Sequence, residues 1–154
     1  MTKSIEFVKT PLYTANKQAF KEEWPVICNE GGSRSGKTYS VIQLLIIIAT
    51  VYKPGVRVSI VSHSLPHIKK GAYRDFMKIM KDWGMWFESQ FSFTDFVYKF
   101  PNGSYIELLG LEDESKARGP GRDILFINEA NLIHKTLFDQ LAMRTTGQIF
   151  LDWN

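Results

Sequence analysis

Between residues 24 and 62 the apolar positions fall into three blocks. Trp24-Pro25-Val26-Ile27-Cys28-Asn29 is a short run dominated by β-formers, and Arg57-Val58-Ser59-Ile60-Val61-Ser62 is another. Between them, residues 37–52 hold the most apolar stretch of the chain, which predicts a buried helix stopped by Pro54-Gly55. From Leu65 onward Ile68, Ala72, Phe76, Ile79 and Trp83 return every three or four positions. That spacing predicts one helix over 65–83, with Lys70, Arg74, Lys78 and Lys81 on its opposite face. Two β-forming runs, 96–100 and 105–109, then flank Pro101-Asn102-Gly103-Ser104, a strong hairpin signal. A glycine-rich charged loop covers 110–121. Residues 123–127 form a continuous apolar strand, 136–143 a short helix and 148–151 a last strand.

Strands that are apolar throughout, alternating with helices, imply a sheet covered on both faces. The predicted fold is therefore α/β, with a mostly parallel central sheet flanked by helices and a β-hairpin insertion around 94–109. A chain of 154 residues is one domain by size. At 44% hydrophobic and 23% charged it has enough apolar matter for a core, which excludes a disordered chain. The apolar run 41–51 is too short for a bilayer, which takes about 20 residues, so no membrane partner is expected. The N-terminus lacks the features of a signal peptide. The single cysteine, Cys28, cannot form an internal disulfide and suits a reducing compartment. The net charge of +3 is uneven: from Lys53 to Asp82 seven basic residues face two acidic ones. A basic middle suits a polyanion, and a solvated helix face accounts for it equally well.

The chemistry concentrates in GGSRSGKT, residues 31–38. It fits G-x-x-x-x-G-K-[ST] and lies between a predicted strand and a predicted helix, the context a phosphate-binding loop requires. Backbone N–H groups of Gly31, Gly32, Ser33, Arg34, Ser35 and Gly36, with the helix N-terminus, would surround phosphate oxygens. Lys37 would reach the β- and γ-phosphates of ATP, and the Thr38 hydroxyl would ligate Mg²⁺. These residues predict a P-loop NTPase with ATP and Mg²⁺ as cofactors. Ile124-Leu125-Phe126-Ile127-Asn128-Glu129 puts a carboxylate at a strand's C-terminal edge, where open α/β sheets bind ligands. Glu129 is the candidate base that orients the attacking water. Asn128 occupies the place where an aspartate usually holds the metal's water shell. Its amide oxygen can accept a hydrogen bond from such a water but adds no charge.

Together GGSRSGKT (31–38), KARGPGRDILFINEAN (116–131) and RTTGQIFLDWN (144–154) resemble the ATPase domain of a phage terminase large subunit. The resemblance implies a motor that packs double-stranded DNA into a capsid. It also implies a homo-oligomeric ring in the full-length protein, and a portal protein and small terminase subunit as partners. The location implied is the host cytoplasm, at the capsid portal. Residues 1–154 would then be the ATPase domain of a longer chain, without the nuclease domain that normally follows. By the same resemblance Arg34 approaches the phosphates and Arg118 is a finger offered to a neighbouring subunit's ATP. Thr145, Thr146 and Asn154 are possible carriers of the coupling motif, and Tyr13, Asn16 and Gln18 lie near the adenine-contacting segment.

Two other functions use the same loop: a phosphotransferase, which needs an acceptor lid, and a non-catalytic nucleotide switch, favoured if Asn128 impairs metal binding. His63 and His67 have an i,i+4 spacing but no third zinc ligand in view. Glu112-Asp113-Glu114 reads as a solvated acidic loop.

Overall fold

The computed structural model describes residues 7–112 and 114–154. Asp113, in the middle of the acidic run, lies outside the described residues. The elements in order are α1 (Pro11–Lys21), β1 (Val26–Glu30), α2 (Lys37–Ile47), β2 (Arg57–Ser62), α3 (Leu65–Lys70), α4 (Ala72–Asp82), β3 (Phe91–Ser92), β4 (Val97–Lys99), β5 (Tyr105–Gly110), β6 (Ile124–Ile127), α5 (Lys135–Met143) and β7 (Ile149–Trp153). They build a seven-stranded sheet in the order β1-β7-β6-β2-β5-β4-β3. β1, β7, β6, β2 and β5 run parallel, and β4 and β3 are antiparallel.

Alternation along the strands sorts the core into two layers, because successive side chains leave a strand on opposite faces. In β6, Ile124 and Phe126 join the layer under α1, α2 and α4, which includes Tyr13, Leu44 and Phe76. Leu125 and Ile127 join the other layer, with Leu137 and Leu141 of α5. With both faces covered, β6 is buried at all four positions, as its apolar run requires.

The expected strands and helices form, with informative differences. α1, to which the sequence reading gave no helix, is started by Thr10, whose side chain accepts from Tyr13 N at 3.1 Å, and by a proline in the first turn. α2 does not run on as α-helix to residue 52. Its last five residues, Ile48–Tyr52, form a π-turn closed by Lys53 N to Ile48 O at 3.3 Å. The single helix expected over 65–83 is two, broken at Gly71 (φ −116°, ψ −96°). The hairpin forms around Gly103 (φ 86°), the left-handed position its Asn-Gly turn anticipates. Its second strand belongs to the central sheet: β5 pairs with β2 in parallel, Arg57 opposite Tyr105. Asn102 of the turn donates to Ala49 O at 2.7 Å, tying the hairpin to the π-turn.

Candidate functional site

β1 carries the chain to the C-terminal edge of the sheet, and the 31–38 loop turns it back into α2. Gly36 caps that helix at φ 79°, a backbone state that L side chains rarely adopt. Arg34, at φ 62°, takes the same left-handed region without being glycine and leaves its side chain exposed. Inside the loop the Lys37 ammonium is buried and donates to Gly31 O (3.0 Å), Gly32 O (2.8 Å), Ser35 Oγ (3.1 Å) and Asn154 Oδ1 (2.9 Å). Four neutral acceptors hold a cation there, which a phosphate oxygen can replace.

The parallel register Ile127 opposite Leu151 brings the ends of β6 and β7 side by side behind the loop. Asp152, 1% exposed, becomes the hub of this edge. It accepts from Thr38 Oγ1 at 2.7 Å, from Glu129 N at 2.6 Å, and from Asn128 Nδ2 at 3.1 and 3.2 Å. Burial pushes its carboxyl pKa above the usual range, against the lowering effect of those donors and of Lys37. Asn128 turns its amide nitrogen, not its oxygen, toward Thr38 Oγ1 (3.1 Å) and Asp152. A carboxylate accepts only, so the chemistry fixes that orientation. Glu129 sits at φ 55°, ψ 58°, a left-handed conformation at the end of the strand. Such strain in a non-glycine residue persists only where surrounding contacts enforce it, here the Glu129 N–H to Asp152.

α3 supplies the facing wall. Its His67 Nε2 lies 2.7 Å from Glu129 Oε2, and the His63 ring packs 4.6 Å from that of His67. Among the described residues no three His, Cys, Asp or Glu side chains gather to hold a metal. The partner that His67 meets here is the Glu129 carboxylate. Between the walls is a cleft of about 390 Å³, lined by the loop from Ser33 to Thr38, by Asn128, Glu129, Asp152 and Asn154, and by His67, Lys70 and Arg74. A cleft of that size is in the range of small-ligand sites.

Most of the predicted site residues meet here, and several do not. Lys70 and Arg74 face the cleft, whereas Lys78 pairs with Asp82 on the exposed side of α4, so the expected basic face is divided. Arg118 is exposed at the end of a 3₁₀ turn, Glu114–Arg118, and does not line the cleft. Thr145 and Thr146 lie at the opposite end of β7, where Thr146 bonds Arg122 O and Asp123, leaving Asn154 as the candidate beside the loop. Tyr13 is buried in the core, and Asn16 exchanges paired amide bonds with Asn29 at 2.8 and 2.9 Å. Gln18 bonds Glu22. Glu112 accepts from Leu65 N at the start of α3, a capping role. The sequence reading missed His67 as the partner of Glu129, and it missed Asp152. An acid in a β-forming run two residues before Asn154 was the available signal for Asp152.

No family model matches this chain, and no curated protein matches it. Solved structures do. The large terminase of the thermophilic bacteriophage D6E aligns with a TM-score of 0.75 at 15% identity, over 93% of this chain and 37% of that one. The bacteriophage HK97 large terminase aligns with a TM-score of 0.73 at 9% identity, over 96% and 33%. The large terminase ATPase domain of Thermus phage P74-26 aligns with a TM-score of 0.71 at 13% identity, over 97% and 66%. The D6E protein is also known in complex with ADP and with ATP-γ-S. The chain thus spans about a third of the D6E and HK97 proteins. At these identities the likeness is one of fold: this chain has the α/β fold of the phage large terminase ATPase domains. No helix among the described residues is long and apolar enough to cross a membrane.

Proposed function

We propose that residues 1–154 form the ATP-hydrolysing motor domain of a phage terminase large subunit, whose turnover drives double-stranded DNA into a capsid. The observation that most supports this reading is the meeting of the 31–38 loop with the ends of β6 and β7 in one cleft. Backbone N–H groups of the loop and the start of α2 bind the phosphates, with Lys37 moving from its neutral acceptors onto the β- and γ-oxygens. Thr38 would hold Mg²⁺, which when bound neutralises charge on those oxygens. Glu129, at the rim of the cleft, orients a water in line with the γ-phosphate and accepts its proton. Arg34 meets the phosphates from the loop. Arg118, exposed and away from its own cleft, reaches the ATP of a neighbouring subunit in the assembled ring. The portal protein, the small terminase subunit and a place at the capsid portal in the host cytoplasm belong to the same proposal.

Phosphate release from ATP is the test, with and without double-stranded DNA, in the full-length protein. The expected result is DNA-stimulated release, abolished in Lys37→Ala together with nucleotide binding. Transfer of phosphate to a small acceptor instead of water would favour a phosphotransferase. Tight binding with little release under any condition would favour a switch. Binding by Lys37→Ala equal to the parent would remove the phosphate-loop assignment.

A further inference from the structure

We propose that Asp152 of β7, not the β6 residue Asn128, supplies the carboxylate that holds Mg²⁺ against Thr38, so the charge of this metal site has moved to the neighbouring strand. The inference rests on the nucleotide reading above and adds a residue to it.

The donor set fits a hard divalent ion. Asp152 is a fully buried carboxylate, and none of its hydrogen-bond donors, Thr38, Glu129 N and Asn128, carries a formal charge. The Lys37 ammonium acts on Asp152 through space only and bonds the loop carbonyls, Ser35 and Asn154 instead. A buried anion whose direct hydrogen-bond donors are all neutral is costly, and a bound cation removes much of that cost. The Thr38 hydroxyl has one proton, and it points at Asp152 over 2.7 Å. Of the two lone pairs on that oxygen one accepts from Asn128 Nδ2, and the other is left for a metal. Mg²⁺ keeps several waters and needs only one or two carboxylates plus substrate phosphates. A hydroxyl beside one carboxylate therefore suffices, without a closed protein cage.

Asn128 cannot take this part as it stands. Its NH₂ group faces Thr38 and Asp152, and its oxygen is turned toward Gly71, where a methyl on that glycine would lie 3.9 Å away. The amide instead neutralises part of the Asp152 charge and fixes the carboxylate plane. β6 and β7 are adjacent and parallel, so a carboxylate can move from the end of one to the end of the other and still reach Thr38. Of the facing pair 128 and 152 only one is a carboxylate, and two in direct contact there would repel.

The experiment measures ATP-γ-S affinity of the chain by calorimetry across a Mg²⁺ titration, with thermal unfolding in metal-free buffer as the fold control. Asp152→Asn retains an oxygen for Glu129 N, and its amide nitrogen can donate to the Thr38 hydroxyl in place of accepting from it. It is expected to fold and to lose roughly 10- to 100-fold in Mg²⁺ affinity. The swap N128D/D152N returns the charge to β6 and is expected to recover most of that loss. Should Asp152→Asn fail to fold, the Mg²⁺ response of the swap against the parent decides alone. A parent-like Mg²⁺ response in Asp152→Asn, or a folded swap that responds no better than Asp152→Asn, overturns the assignment. If the parent binds no nucleotide and Lys37→Ala is indistinguishable from it, both this inference and the reading beneath it fall. A parent that binds with a Mg²⁺ response that Asp152→Asn leaves intact overturns this inference alone.

Discussion

Glu129, the proposed base, is held by few contacts. Its N–H is tied to Asp152 and its carboxylate meets the His67 imidazole, with both side chains about one third exposed. Replacing Glu129 by Gln keeps the shape and removes the proposed base, so ATP should bind and remain unhydrolysed. A loss of about 10²- to 10⁴-fold in single-turnover rate is the magnitude expected for a general base. His67→Ala leaves the carboxylate free to rotate, so kcat should fall roughly ten- to a hundredfold with KM for ATP unchanged, the effect of misplacing a reacting group. His67→Gln can still donate to the carboxylate and should recover part of the rate. An unchanged kcat in His67→Ala beside an inactive Glu129→Gln would mean that the histidine only packs there.

At the scale of elements, α3 is the part whose position matters most, because it carries His67 and the adjoining Lys70. Two contacts set where it starts. Ser64 accepts from His67 N at 3.3 Å, and Glu112 accepts from Leu65 N at 2.9 Å. A third is steric: Gly110 ends β5 so close to α3 that an added methyl would run into Leu65 N and would lie 2.6 Å from the Ser64 carbonyl carbon. Neither partner is a movable side chain, so Gly110→Ala must displace α3 or the end of β5. Urea unfolding should show a loss of about 1–3 kcal/mol, the usual range for overpacking, at an unchanged slope. Hydrolysis should fall with it, as His67 moves from Glu129. Parent-like stability would show that the approach relaxes freely.

For the whole molecule the decisive question is whether one copy holds a complete site. Lys37, Thr38, Arg34, Asn128 and Glu129 line one cleft, whereas Arg118 is exposed on the 3₁₀ turn before β6 and does not. Arg118→Ala in the assembled full-length protein should therefore bind ATP normally and hydrolyse it slowly, with a loss of about 10³-fold or more if the finger stabilises the transition state. Mixing that variant with Lys37→Ala is the sharper measurement. A Lys37→Ala subunit still offers its arginine to a neighbour whose loop is intact, so mixed rings should regain part of the activity. Mixed rings that assemble and stay inactive would count against action between subunits.

The sequence by itself determined the sheet-forming runs, the glycine loop between β1 and α2, and the acid at the end of β6. These are local properties: side-chain period, turn chemistry and a motif that works through its own backbone. It did not determine the break at Gly71, which looked like one residue in an unbroken apolar period. Nor did it determine that β5 enters the central sheet, since a hairpin signal says how two strands join and not what lies on their far side. The partnership of Asp152 with Thr38 and Asn128, and of His67 with Glu129, belongs to the tertiary structure alone. Those pairs stand 114, 24 and 62 residues apart along the chain. They meet only because parallel strands drawn from distant segments end at one edge of the sheet. Local propensity carries no term for that neighbour, and the order β1-β7-β6-β2 supplies it.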